Sequence, residues 1–327
     1  LFGASAPLCK LLLPSVKPLL LAGLLYLGAG LGLTLYRALR RREATAREAQ
    51  LARQDVAPLL GIVVLGGIGG PVLMLYGLSR LAALPAALLL NLEAPLTIFV
   101  AVAFFGEHMG RREGLSALCI CGGAALLALP GSAIFSSESW RHTELFGAAA
   151  LFSACALWAL DNNLTQRLSV RDPVALVRIK TLAAGSVNLL IAILLGAPLP
   201  GLGTMANALL LGCVSYGVSV VLDAYALRLV GAAREAAFFA TAPFIGALVS
   251  VVLCGDRLGV ADVGAMGAMA LGVAHGGDDT ERAHDAGDDV ADAGPRLQRR
   301  VGVRPGDAHE AAHGLRHDVE GRPVGIG

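Results

Sequence analysis

Apolar runs of about 17 residues or more recur along the first 275 residues of this 327-residue chain. At 1.5 Å per helical residue, a run of this length crosses most of the roughly 30 Å of hydrocarbon in a bilayer. The runs are rich in Leu, Ala and Gly and lack the alternation of an outer-membrane barrel. Because 55% of the residues are hydrophobic and only 16% are charged, we predict an all-α membrane protein.

Nine complete spans and a tenth, truncated one are predicted. Leu1–Cys9 is apolar but too short to cross a bilayer, so we interpret it as the second half of a first helix. The complete spans are predicted at residues 18–36, 56–78, 82–105, 114–130, 144–165, 173–195, 205–227, 235–254 and 258–275.

A sequence pattern occurs twice, with its copies about 149 residues apart. Glu93-Ala94-Pro95 precedes Gly106-Glu107 in the first copy, and Ala242-Pro243 precedes Gly255-Asp256 in the second. Such repetition indicates a duplicated unit. We therefore predict a first five-helix repeat at residues 1–130, a second at 131–276, and a disordered polar tail at 277–327.

Lys and Arg are unevenly distributed between alternate loops, and the richer set is predicted to be cytoplasmic, together with both termini. Five spans per repeat is an odd number, so the repeats are predicted to insert with opposite topology, as in many secondary transporters. The richer set contains Arg37, Arg40, Arg41, Arg42, Arg47, Arg53, Arg111, Arg112, Arg167, Arg171, Arg228 and Arg234, and the other set contains Lys10, Lys17, Arg80, Arg141 and Arg257.

The two copies of the Pro-to-Gly-acid pattern resemble the EamA-like branch of the drug/metabolite transporter superfamily. Phe2-Gly3-Ala4-Ser5 resembles the end of that family's first helix, and Trp158-Ala159-Leu160-Asp161-Asn162-Asn163 resembles the equivalent part of the sixth. The resemblance covers about residues 1–275 and implies two inverted five-helix repeats with a central site reached by alternating access. It also implies movement of a metabolite or drug, usually outward and often coupled to protons. Asp256 departs from the Glu that is usual in the family.

Glu93 lies at the midpoint of the fourth predicted span, and Thr97 follows one helical turn later. A carboxylate at that depth is costly unless it faces a cavity, is paired or is protonated. We predict that Glu93 and Thr97 bind substrate or a proton, with a structural hydrogen bond to a neighbouring helix as the alternative. The corresponding residue of the second repeat is Thr241, so only one copy carries the acid.

A second group of polar residues is predicted near the cytoplasmic ends of three spans. Asp161, Asn162 and Asn163 are expected to line the substrate or proton path. The charged residues of the group are expected to form an inner ion network. That network is interpreted either as a gate or as a static interfacial cluster. The group consists of Asp161, Asn162 and Asn163 on the sixth span, Arg178 and Lys180 on the seventh, and Asp223 on the eighth.

Pro95 and Pro243 lie within predicted spans, where a proline removes a backbone hydrogen bond and bends the helix. Such bends are predicted either to border a substrate site or to serve packing alone. Glycine rows such as Gly66, Gly67 and Gly69 are predicted to allow close helix approach.

The predicted function is secondary active transport of a small metabolite or drug-like solute across the cell inner membrane, as proton-coupled efflux. No enzymatic activity, cofactor, metal ion or nucleic acid is expected. The expected partners are the lipid bilayer, a small-molecule substrate, protons and, as an open alternative, a second copy of the chain in a homodimer. Two other functions are weighed: a non-transporting membrane scaffold, and a zinc metalloprotease using His309-Glu310-Ala311-Ala312-His313 in the tail.

Overall fold

The computed structural model describes residues 1–39, 51–106, 111–127, 142–168, 171–230, 239 and 241–274. Within these ranges the chain forms helices joined by short loops, and no β-strand is present there. The prediction of an all-α membrane protein is therefore confirmed. The predicted polar tail, the His309–His313 motif and Glu107 lie outside the described residues.

Ten helices follow one another in the described part of the chain. Six of them, α2, α3, α4, α6, α7 and α8, are long and apolar enough to cross a membrane, while α5, α9 and α10 are shorter apolar helices. Each of these three borders a range that the structure does not describe, and all three correspond to predicted complete spans. The helices are α1 Ser5–Leu12, α2 Pro18–Leu39, α3 Arg53–Arg80, α4 Ala83–Phe105, α5 Arg111–Leu127, α6 His142–Leu168, α7 Pro173–Leu194, α8 Leu202–Leu229, α9 Ala242–Cys254 and α10 Val260–Ala274.

Two irregular features occur at matching positions of the two repeats. Helices α3 and α8 each contain a π-helical segment, Val63–Gly69 in the first repeat and Gly212–Val218 in the second, with bonds that reach five residues back. Helices α4 and α9 each end at a glycine in the left-handed conformation, Gly106 and Gly255, with φ of 71° at both. Both pairs are 149 residues apart, which confirms the duplication.

The helices α2 and α7, which are equivalent members of the two repeats, pack closely against each other. A methyl group added at Gly23 of α2 would lie 2.7 Å from the backbone nitrogen of Leu189, and one added at Gly185 of α7 would lie 2.6 Å from that of Leu27. Glycine at these positions therefore lets the two backbones approach closely.

At one end of the bundle, which we term the Arg37 end, polar side chains join four helices. Arg37 at the end of α2 contacts Asp172, which precedes α7, at 3.0 Å. Arg171 contacts Asp55 of α3 at 2.8 Å and its carbonyl oxygen accepts a hydrogen bond from Arg228 near the end of α8. Helix α3 thus begins where its equivalent α8 ends, so the two repeats run in opposite directions, as predicted.

At the opposite end, which we term the Lys10 end, two charged side chains hold the turn between α3 and α4. The ammonium of Lys10 donates hydrogen bonds to the carbonyl oxygens of Leu78 and Leu81, at 2.7 and 2.6 Å. The carboxylate of Asp256, just after α9, accepts a hydrogen bond of 2.7 Å from the backbone N–H of Leu84 in the first turn of α4. The second repeat therefore caps a helix of the first.

Candidate functional site

A cavity with about 410 Å³ of empty space lies among the helices, between the middle of the bundle and the Arg37 end. Its polar lining comes from α4, α6, α7 and α8, and aromatic rings from α2, α6 and the segments beside α1 and α9 complete it. The lining residues are Phe2, Tyr26, Glu93, Trp158, Asp161, Asn162, Lys180, Ser219, Val220, Asp223 and Phe239.

Glu93 brings a carboxylate into this cavity from α4. The helix departs from regular α geometry just before it, in the 3-10 turn Leu90–Leu92, and Glu93 begins the next helical segment. Glu93 is only 7% exposed, and its Oε1 accepts a hydrogen bond of 2.8 Å from the side-chain amide of Asn162. Within the described residues, no ion pair joins Glu93 to a cation. Its buried carboxylate is thus bonded to an uncharged group.

A buried ion pair lies beside Glu93. The ammonium of Lys180 on α7 contacts Oδ2 of Asp161 on α6, and the two residues are 6% and 3% exposed. The other carboxylate oxygen, Oδ1 of Asp161, is buried and has no hydrogen-bond partner in the described part of the protein. Lys180 and Asp161 therefore neutralise each other, and Oδ1 of Asp161 is left without a donor among the described groups.

The π-helical segment of α3 holds two of the lining aromatic residues. The carbonyl oxygen of Gly66 accepts hydrogen bonds from the hydroxyl of Tyr26, at 2.9 Å, and from the indole N–H of Trp158, at 3.2 Å. A methyl group at Gly66 would also overlap the carboxylate of Asp161. One glycine therefore contacts three residues of the cavity, which come from α2 and α6.

Pro71 explains why the carbonyl of Gly66 is available. In this segment the N–H of Gly70 donates to the carbonyl of Leu65, five residues back. In the same register the carbonyl of Gly66 would be bonded to residue 71, but proline has no N–H. Side chains of other helices supply the missing donors. The glycine row and the proline that follows it are the sequence signal for this arrangement, whereas the glycine row by itself predicts only close helix approach.

Aromatic rings form one wall of the cavity. Phe2 lies with its ring centroid 6.0 Å from that of Trp158 and 5.1 Å from that of Phe239. It also lies 5.6 Å from Tyr216, whose ring is in turn 5.6 Å from that of Tyr26. These rings come from distant parts of a chain in which only 5% of residues are aromatic, so no local pattern predicts the wall.

The structure brings together five of the residues predicted to carry the site. Glu93, Asp161, Asn162, Lys180 and Asp223 all line the one cavity. The predicted substrate or proton path and most of the predicted ion network thus share a single location.

Three further predicted residues lie outside the cavity lining. Asn163 donates hydrogen bonds from its side-chain amide to the carbonyls of Thr97, at 3.1 Å, and Ala159, at 2.8 Å, so it joins α6 to α4. Thr97 is fully buried at this helix contact. Arg178 is half-buried and lies on a different face of α7 from Lys180, with which it was predicted to form a network.

The two predicted bend prolines occupy first turns of helical segments, where the missing N–H is tolerated. Pro95 is the third residue of the segment that begins at Glu93, and Pro243 is the second residue of α9. Pro243 also lines a smaller pocket of about 270 Å³ that contains Glu93 and Phe2. The helical segments Glu93–Phe105 and Ala242–Cys254 both have 13 residues, and aligning them pairs Glu93 with Ala242. Aligning the Ala-Pro motifs instead pairs Glu93 with Thr241. In either alignment the second repeat has no acid at the position of Glu93.

Comparison with known proteins identifies relatives over most of the chain. The model of the EamA-like transporter family matches residues 1–129 and 145–275. An uncharacterized transporter of Methanothermobacter thermautotrophicus is 30% identical over 263 residues, which are 77% of this chain and 76% of the relative. A protein of known crystal structure has a TM-score of 0.64 at 17% identity, over 84% of this chain and 96% of its own, and shows the same fold.

Proposed function

This chain belongs to the EamA-like transporter family, and we propose that it is a secondary active transporter that exports a small metabolite or drug-like solute in exchange for protons. The observation that carries the proposal is Glu93, a buried carboxylate that lines the central cavity and that, among the described residues, is bonded to an amide and to no cation. A carboxylate in such surroundings is stabilised by binding a proton or a cationic group. If a proton and the solute bind to Glu93 alternately, the release of one allows the other to bind, and the two are exchanged across the membrane.

The two ends of the bundle support alternating access to this site. At the Lys10 end, α1 and α9 pack against α3 and α4. A methyl group added at Gly246 of α9 would lie only 3.1 Å from the Cβ of Ala87 in α4, so these two helices are in close contact. Toward the other end, the half-exposed residues Asn162 and Asp223 line the cavity, and Asp223 lies about two turns from the end of α8. The conformation therefore offers the site to the Arg37 end and closes it from the Lys10 end.

The positive charge of the Arg37 end makes it the cytoplasmic end of the proposed transporter, in the cell inner membrane. The last described turn of α10 then lies on the cytoplasmic side, since α10 runs toward the same end as α2. With this orientation the solute enters from the cytoplasm and leaves after the Lys10 end has opened. The bonds of Lys10 and Asp256 to the turn between α3 and α4 would break in that step.

The test is Glu93→Gln in proteoliposomes that carry an imposed pH gradient. A metabolite screen of cells that overproduce the protein first supplies the solute. Glutamine keeps the size of the side chain but cannot take up a proton, so we expect pH-driven flux to disappear while insertion stays unchanged. Glu144→Gln at the start of α6 is the matched control, because it changes a carboxylate outside the cavity lining. Proton-coupled flux that persists in Glu93→Gln would refute the role given to Glu93.

The scaffold and zinc-protease alternatives gain no support from the described residues. A scaffold has no use for a buried carboxylate in a cavity, and the protease motif lies at His309–His313, outside the described ranges. Those ranges also contain no group of three His, Cys, Asp or Glu residues placed to hold a metal ion.

A further inference from the structure

The charges of the cavity favour a positively charged solute. Asp161 and Lys180 compensate each other, whereas the carboxylate of Glu93 is bonded to the uncharged amide of Asn162. Bringing an anion beside Glu93 would place two negative charges in a site shielded from water, which is strongly unfavourable. A cation would instead compensate the charge of Glu93, which forms no ion pair within the described residues.

The unpartnered oxygen of the ion pair points to an N–H donor on that solute. Oδ1 of Asp161 is buried, lines the cavity through its residue, and has no donor among the described groups. A buried acceptor without a partner costs free energy, which a bound donor would recover. A protonated amine provides both the positive charge and the N–H groups. A quaternary ammonium provides the charge alone.

The aromatic wall fits the remainder of such a molecule. The ring of Phe2 lies against those of Trp158 and Phe239, and the rings of Trp158 and Tyr26 are held by the carbonyl of Gly66. Aromatic faces attract cations within about 6 Å and provide apolar contact for a carbon skeleton.

We infer that the substrate class is the protonated organic amine with an apolar or aromatic body, its ammonium bound by Glu93 with Asp161 Oδ1 as the second acceptor. This inference rests on the proposed function and specifies the solute that the same cavity takes. In each transport cycle the amine and the coupling proton would then compete for the charge of Glu93.

Tryptophan fluorescence provides a direct binding assay. The chain has two tryptophans, so Trp140→Phe leaves Trp158, in the cavity wall, as the sole reporter. The full-length protein in detergent is titrated with 2-phenylethylamine, its uncharged analogue 2-phenylethanol, the anion 3-phenylpropionate and the zwitterion phenylalanine. We expect saturable quenching by the amine, at least about ten-fold weaker binding of the alcohol and the zwitterion, and none of the anion.

A comparison of variants tests whether Glu93 binds the amine, and a comparison of probes tests whether Asp161 accepts its N–H. Glu93→Gln should weaken the binding of the amine by about ten-fold or more while leaving that of the alcohol unchanged. Glu144→Gln, at the start of α6 and outside the cavity lining, should change neither. The trimethylated form of the amine should bind more weakly than the amine itself, because it has no N–H for Asp161.

Equal binding of the anion or of the zwitterion would overturn the inference, and so would the absence of binding by all the probes. If vesicles nevertheless transport a neutral or anionic metabolite in a Glu93-dependent way, the proposed function stands and only the solute class is wrong. If they transport no solute at all, the proposed function itself fails. Because the probe series uses the protein with Glu93 intact, the inference remains testable even if Glu93→Gln does not fold.

Discussion

An alanine at Gly66 would place a methyl group against the carboxylate of Asp161. The added carbon would overlap all three carboxylate atoms, Cγ, Oδ1 and Oδ2, so the side chain of Asp161 must move. It cannot move freely, because its Oδ2 is paired with the ammonium of Lys180 in a buried site. The substitution therefore affects both the packing of α3 against α6 and the ion pair.

The expected destabilisation follows from these two contributions. Extra volume in a well-packed interior costs about 1–3 kcal/mol. If the carboxylate also leaves Lys180, the broken buried pair adds a cost of about 3–5 kcal/mol. We therefore expect Gly66→Ala to destabilise the folded protein by about 2 kcal/mol, the middle of the packing range, if the ion pair survives, and by more if it breaks. The exposure of Trp158 should rise in either case.

Thermal unfolding in detergent, followed by the fluorescence of Trp158, measures this effect. The matched control is Gly122→Ala in α5, since a methyl group there meets no atom within 4 Å and alanine favours helix. In an Asp161→Ala/Lys180→Met background, the carboxylate and its partner are gone, so Gly66→Ala should lose most of its effect. A Gly66→Ala protein that unfolds at the same temperature as the Gly122→Ala protein would refute the packing described for α3.

Two other substitutions test the charged contacts. Lys180→Met should destabilise the fold by about 3–5 kcal/mol, because it leaves the carboxylate of Asp161 buried without a cation, whereas the double variant Asp161→Asn/Lys180→Met should recover most of that loss in thermal unfolding. If the double variant is no more stable than the single one, the pair does not act as a unit. Asp256→Ala should cost about 0.5–2 kcal/mol by removing the cap of α4, seen as faster hydrogen exchange at the amide of Leu84, and unchanged exchange there would contradict the capping role.

Much of the architecture was predictable because it depends on local sequence. The length of an apolar run decides whether a helix can span, and the repeated motif around Pro95 and Pro243 marks the duplication directly. The charged residues of the cavity were also found from sequence, since Glu93 and Asp161 within spans are expected to face a protein interior. Burial of charge is thus a strong guide to position in a membrane protein.

The remaining parts of the site depend on which helices meet. Thr97 lies one turn from Glu93, yet the packing of α4 against α6 places it beside Asn163 and outside the cavity. The aromatic wall combines Phe2 and Tyr26 with rings far away in the chain, and no local pattern predicts that meeting. Spacing along one helix gives a face, but only tertiary packing decides what that face contacts.

The π-helical segments show how far the two halves have diverged since the gene was duplicated. Both repeats inherited the wide turn at the same position, but Pro71 in the first corresponds to Val220 in the second, which retains its amide hydrogen. The released carbonyl of Gly66 and the acid Glu93 therefore both belong to the first half. The backbone retained the ancestral symmetry, whereas the side chains diverged, so the cavity takes Glu93 from the first half and Asp161, Asn162 and Lys180 from the second.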